Sequence, residues 1–258
     1  MAYTMIQYFT IGFVAALLGS MSGLGGGFII VPALYYLGVP VQYVVGTSKF
    51  TVFATSIIST YRYFKKLKIP IRLYVSIVIP MTLMAYLGAY LVTTLPVDIL
   101  TLIIGSVLLV ACIGMLKSTQ DSSSHGELEL VKSRIYILGI FLGGIAGFVS
   151  GISGLGGGVV NVPAFIYILR LEPRLAVSLS IASIFPSALS SVVRHVVDNV
   201  INWNIAISIS IGAIMGGWVG PSIALKMKRE TLRKTIALII AAATMRMMLE
   251  ALMKLLSM

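Results

Sequence analysis

The hexapeptide Ser-Gly-Leu-Gly-Gly-Gly occupies 22–27 and recurs at 153–158, each time inside a long apolar stretch and followed within a few residues by Val-Pro-Ala. A glycine inside a helix costs about 1 kcal/mol relative to alanine. Four glycines in six residues therefore mark a break in whatever helix the apolar stretch forms. The correspondence runs on in both directions. Tyr36 pairs with Tyr167, and past a one-residue slip near Leu171, Val45, Ser48, Arg62 and Gly88 pair with Val177, Ser180, Arg194 and Gly220. Self-similarity over nearly the whole length divides the chain into a first repeat, 1–116, and a second, 134–258, joined by a polar linker at 117–133.

Of the 258 residues, 58% are hydrophobic and 10% charged. That is more apolar surface than a water-soluble domain can bury, so the reading is an all-α polytopic membrane protein in contact with the lipid bilayer. Each repeat offers one glycine-interrupted segment (6–37 and 136–169) and three uninterrupted ones (44–61, 73–93 and 97–116; 176–193, 203–225 and 235–256). A spanning helix needs about 20 apolar residues. The first segment has no basic lead-in and no cleavage motif, and reads as a membrane segment rather than a signal peptide. The single cysteine, Cys112, excludes an intrachain disulfide.

Lysine and arginine total 19 against 8 acidic residues. Basic loops facing the cytoplasm explain that balance better than a nucleic-acid partner does. Two loops are strongly basic: Arg62, Lys65, Lys66, Lys68 and Arg72 in one, Lys226, Lys228, Arg229, Arg233 and Lys234 in the other. Both lie on one side only if the intervening glycine segment crosses an even number of times, and it is too short for two full spans. The expectation is two half-helices meeting at the glycines, a re-entrant hairpin, followed by three transmembrane helices in each repeat. The repeats are then inverted, the basic loops and linker are cytoplasmic, and the termini lie outside. Only Lys49, Arg194, Arg246 and Lys254 fall off the cytoplasmic face.

Broken helices in paired repeats form transporter sites near the bilayer midplane. Irregular backbone at that depth must be buried in protein or line a cavity. Free N–H groups at a helix start attract anions, and glycines let an anion approach closely. The expected substrate site comprises Ser22, Gly23, Gly25, Gly26 and Gly27 with Ser153, Gly154, Gly156, Gly157 and Gly158. The alternative use of the same glycines is close helix packing. Lys49, inside an apolar segment, is either an anion ligand or a lysine reaching out to the interface. Thr47, Ser48 and Ser180 offer hydroxyls. Asn161 sits one turn into the second half-helix, and Arg194 closes the helix after it. His195 is expected at the interface. With no ionisable group free inside the membrane, anion movement is expected to be electrogenic, outward and uncoupled from protons or sodium, since an interior-negative potential contributes about 2.3 kcal/mol per charge per 100 mV.

The paired glycine segments, with "VGTSK" at 45–49, its partner "VSLSI" at 177–181, and Arg62 and Arg194, resemble the TauE/SafE sulfite exporter family over nearly the entire chain. The resemblance implies export of sulfite, a sulfonate or an organosulfonate such as sulfoacetate across the cytoplasmic membrane. Ser178 and Leu179 stand where the first repeat has Gly46 and Thr47, so the paired sites are asymmetric. An anion channel and a membrane enzyme acting on an anionic lipid are the competing readings. No Cys, His or carboxylate cluster has metal-ligand spacing, and no nucleophile–base pair is legible. The reading is thus of a non-enzyme without metal or cofactor.

Overall fold

The structure, a computed structural model, describes residues 2–67, 69–117 and 132–224. Among these the fold is wholly helical: α1 (Ala2–Ser22), α2 (Gly27–Tyr36), α3 (Val41–Phe64), α4 (Ile71–Thr94), α5 (Val97–Lys117), α6 (Lys132–Ser153), α7 (Gly158–Tyr167), α8 (Pro173–Val197) and α9 (Trp203–Ala224). The linker, the second basic loop, the last apolar segment and both termini's expected placement lie outside the described residues. Five helices are long and apolar enough to cross a membrane: α1, α4, α6, α8 and α9. α3 equals them in length with 24 residues but carries Lys49 and a series of hydroxyls.

The two arms of each glycine segment differ in length. α1 has 21 residues and α2 has 10. At 1.5 Å per residue these are about 31 and 15 Å long. α6 and α7 repeat the inequality with 22 and 10 residues. The long arms pass through Gly12 and Gly19, and through Gly139, Gly143, Gly144, Gly147 and Gly151, without breaking, because most of these glycines serve packing. A Cβ at Gly212, Gly216 or Gly220 of α9 would lie 2.1, 2.3 or 2.7 Å from the carbonyl oxygens of Phe9, Phe13 and Leu17. α1 therefore lies along α9 in the same direction, with backbones in contact. Gly143, Gly147 and Gly151 of α6 stand likewise against the carbonyls of Ile77, Met81 and Ala85 of α4 at 2.3, 2.1 and 2.3 Å. Each repeat's long arm thus packs on a helix of the other repeat.

The polar helices α3 and α8 occupy the centre, and most of their hydroxyls are buried. α3 runs with α9, tied by Ser59 Oγ donating to Gly217 O at 3.1 Å and by Asn202 N donating to Thr47 Oγ1 at 3.1 Å. α8 runs with α4, tied by Ser190 to Thr82 O at 2.9 Å and Ser191 to Ala85 O at 3.2 Å. α3 and α8 cross in opposite directions, with Phe53 stacked on Phe185 and Thr60 donating to Ile181 O. α1, α3 and α9 therefore point one way, and α4, α6 and α8 the other. Outward faces carry Leu83, Phe141 and Ile211, an apolar exterior suited to lipid.

Two adjacent glycines test the packing argument. A Cβ at Gly143 meets Ile77 O at 2.3 Å, whereas at Gly144 its nearest neighbour is Met84 Cγ at 3.8 Å. Gly143→Ala is expected to cost about 1–3 kcal/mol through overpacking. Gly144→Ala should be neutral or stabilising by up to about 1 kcal/mol. Thermal unfolding of the two purified variants in detergent checks the pair.

Candidate functional site

The chain leaves α1 through three left-handed glycines, Gly23, Gly25 and Gly26, with φ of 83, 84 and 85°. Gly154, Gly156 and Gly157 repeat this after α6 with φ of 73, 95 and 75°. Side chains disfavour this region by about 1–2 kcal/mol, which accounts for the repeated hexapeptide. Gly26 and Gly157 are the N-caps of α2 and α7, and neither supplies a side-chain cap. The first helical bonds run from Ile29 and Ile30 to Gly26 O, and from Val160 and Asn161 to Gly157 O. The N–H groups of Gly27, Phe28, Gly158 and Val159 precede them and have no intrahelical acceptor.

The two corners meet. A Cβ on Gly27 would lie 2.5 Å from Gly154 O, and one on Gly158 would lie 2.1 Å from Gly23 O. Ser48 donates to Gly154 O at 3.0 Å, and Ser180, its repeat partner, donates to Gly23 O at 2.8 Å. These two serines occupy carbonyl oxygens that would otherwise repel an anion. Val52 and Ile184 close the junction from the two central helices. Close packing and a donor-rich corner are therefore properties of the same glycines.

The remaining predicted residues divide. Ser22 donates to Leu18 O at 2.8 Å and Ser153 to Val149 O at 2.5 Å, so their protons are held by their own helices, although Ser153 Oγ also accepts from Leu155 N at 3.4 Å. Thr47 Oγ1, next to Ser48, accepts from Asn202 N at the start of α9. Arg194 is engaged by Asp198, with Nε–Oδ2 of 2.9 Å and Nη2–Oδ1 of 2.5 Å, and lies 4.8 Å over the Tyr90 ring. Arg62 likewise covers Trp218 at 4.6 Å. Asn161 is fully buried; its Nδ2 meets Met81 Sδ at 3.5 Å and its Oδ1 has no partner.

Lys49 does not reach an interface. It is fully buried, and its ammonium donates to Ser150 Oγ, on the last turns of α6 just ahead of the second corner. Its repeat counterpart is Ile181, so the charge serves one corner only. His195, expected at the interface, is also fully buried, and neither ring nitrogen has a partner. It stands where the first repeat has Tyr63, whose hydroxyl donates to Ser20 O at 2.8 Å. The missed signal was this register: Tyr63 and His195 are repeat partners one position past the paired arginines, and both are buried. No group of three or more His, Cys, Asp or Glu able to hold a metal occurs among the described residues.

A family model described as Sulfite exporter TauE/SafE matches residues 8–247. A probable membrane transporter protein of Methanocaldococcus jannaschii is 35% identical over 182 residues, covering 67% of this chain and 66% of that protein. The probable membrane transporter protein YunE of Bacillus subtilis is 25% identical over 202 residues, 69% of this chain and 73% of the relative. Sulfite exporter TauE/SafE family protein 3 of Arabidopsis thaliana is 36% identical over 93 residues, 35% of this chain and 19% of that one. No solved structure matches the chain. Five apolar helices long enough to span a bilayer, glycine corners duplicated and apposed, and a family match over residues 8–247 lead to one assignment: this chain is a multi-pass membrane transporter belonging to the TauE/SafE sulfite exporter family.

Proposed function

We propose that the chain exports a small sulfur-containing anion, namely sulfite, a sulfonate or an organosulfonate such as sulfoacetate, across the cytoplasmic membrane. The observation that carries this reading is the reciprocal apposition of the two corners, Gly27 on Gly154 and Gly158 on Gly23. It places two helix N-termini, with their free N–H groups, at one junction. The full site in this reading is Ser22, Gly23, Gly25, Gly26, Gly27, Thr47, Ser48, Lys49, Ser153, Gly154, Gly156, Gly157, Gly158, Asn161, Ser180 and Arg194. The glycine backbones and Lys49 make the contacts, while Ser48 and Ser180 hold carbonyls away from the anion. Export follows the activity that the family's description names.

Inverted repeats are part of the proposal. α1, α3 and α9 run opposite to α4, α6 and α8, so each of the three pairs α1/α6, α3/α8 and α4/α9 opposes its repeat counterpart, which supports inversion. The short arms support re-entry, because about 15 Å spans only half of a hydrocarbon core about 30 Å thick. Single cysteines at Lys66 and Lys228, in a Cys112→Ser background, should both react only from the cytoplasmic face. Labelling from opposite faces would end the inverted arrangement.

The transport test uses proteoliposomes with radiolabelled sulfite, sulfoacetate and methanesulfonate. Saturable flux with accelerated exchange against unlabelled anion is the expected result. Flux that never saturates would identify a channel, and no flux of any probe would remove sulfur anions from the reading.

A further inference from the structure

Lys49 and His195 are two buried nitrogen bases, and among the described residues no carboxylate pairs with either. Lys49 has a single partner, the neutral hydroxyl of Ser150. The imidazole of His195 has none; it lies one turn past Ser191, whose hydroxyl donates to Ala85 O, the carbonyl that also backs Gly151 beside Ser150. The one ion pair among the described residues joins Arg194 to Asp198, so the carboxylate one turn beyond His195 is already occupied. Among the described residues, the other elements packed on α8 add no negative charge here. α4 brings Tyr90 beneath Arg194. The ionisable side chains described on α6, Arg134 and Tyr136, lie about four turns from Ser150. α7 contributes Asn161, whose buried Oδ1 is also unpartnered.

A buried imidazole with both nitrogens unpaired is costly, because each forgoes its hydrogen bond to water. The first repeat avoids that cost at the same position with Tyr63, which finds Ser20 O. A histidine there is explained by a partner that comes and goes. A proton alone would meet the repulsion of Lys49, and an anion alone would leave the imidazole unsatisfied. Together they satisfy the site: the anion screens Lys49, and the imidazolium N–H groups donate to anion oxygens as charge-assisted hydrogen bonds.

We infer that His195 is the proton-binding group of this carrier, forming with Lys49 and Ser150 a buried site that takes up one anion and one proton together. The inference rests on the anion-carrier reading above. The proton comes from water on the side where the anion enters and returns to water where the anion leaves, so a monoanion crosses without net charge. This replaces the expectation of uncoupled, electrogenic flux, which rested in part on an interfacial His195.

The test holds the membrane potential at zero with valinomycin and equal potassium, and imposes a pH difference of about one unit across proteoliposomes. Sulfoacetate and methanesulfonate are the labelled probes, since neither titrates near neutrality. One-to-one coupling predicts accumulation on the alkaline side of about tenfold per pH unit, the ratio that about 1.4 kcal/mol sustains. His195→Gln should abolish this accumulation while measurable exchange of labelled for unlabelled anion remains. If that variant fails to fold, His195→Tyr, which installs the residue of the first repeat, gives the second reading. Binding to the wild-type protein in weakly buffered detergent should take up one proton per anion. Wild-type exchange without pH-driven accumulation, accumulation that survives in a folded variant, or binding without proton uptake would each overturn the inference and leave the carrier reading standing. Absence of exchange in the wild type would remove both.

Discussion

Gly158→Val is expected to abolish transport and to destabilise the protein by at least about 3 kcal/mol, the upper end for overpacking a well-filled interior. A Cβ at this position stands 2.1 Å from Gly23 O and 2.5 Å from Leu24 Cα. Both are backbone atoms of the opposite corner, so no rotamer change relieves the clash. The corners must separate, and Ser180 then loses Gly23 O. Gly38→Ala is the control. Gly38 also has a positive φ, 78°, but a Cβ there meets nothing within 4 Å. Only the backbone penalty of about 1–2 kcal/mol remains, and transport should persist. Gly26→Ala falls between them, with φ of 85° and a Cβ 2.9 Å from Ala15 O. Thermal midpoints in detergent, read beside proteoliposome uptake, rank the three. Equal losses for Gly38→Ala and Gly158→Val would mean that backbone strain, not the meeting of the corners, sets the requirement for glycine.

Lys49→Met is expected to lower anion flux by about a hundredfold without lowering thermal stability. The ammonium is fully buried with one neutral partner, an arrangement that costs several kcal/mol in desolvation with no countercharge among the described residues to offset it. Methionine keeps the apolar stem and removes that cost, so the midpoint should hold or rise. A loss of about 2.7 kcal/mol of anion stabilisation corresponds to the hundredfold change. Uptake and unfolding measured on the same preparation separate the two roles. A parallel fall in both would assign Lys49 to structure.

Much of this arrangement is legible in the sequence, and the omissions have definite causes. The hexapeptide locates both corners, and its glycines do adopt the left-handed conformation that a helix break needs. The pairing of Ser48 with Ser180 survives as the reciprocal bonds to Gly154 and Gly23. The length of each arm is not legible in the sequence. Gly12 and Gly19 stay helical, with Ile209 and Gly26 pressed against them, so α1 runs unbroken to the hexapeptide; a packing glycine and a breaking glycine look the same in one dimension. The hydroxyls of Ser22 and Ser153 have a local competitor that the sequence does not display. A serine in a helix finds the carbonyl three or four residues back more easily than a ligand ahead of it. Hydrophobic pattern places Lys49 and His195 near helix ends, and only the neighbouring helices determine that both are enclosed.

The cross-packing of the long arms sets an order of events during synthesis. α1 ends at Ser22, but the helix whose glycines receive it begins at Trp203. At about 5–20 residues per second, the arm waits roughly 10–40 seconds in the bilayer before its partner exists. The second arm, α6, emerges after α4 is already made and docks at once. An assembly pathway follows in which α4, α6 and α8 consolidate first and the earliest helix of the chain is the last to be seated. A stalled or truncated product lacking α9 would thus present the bare α1 face that Phe9, Phe13 and Leu17 line, a ready signal for membrane quality control.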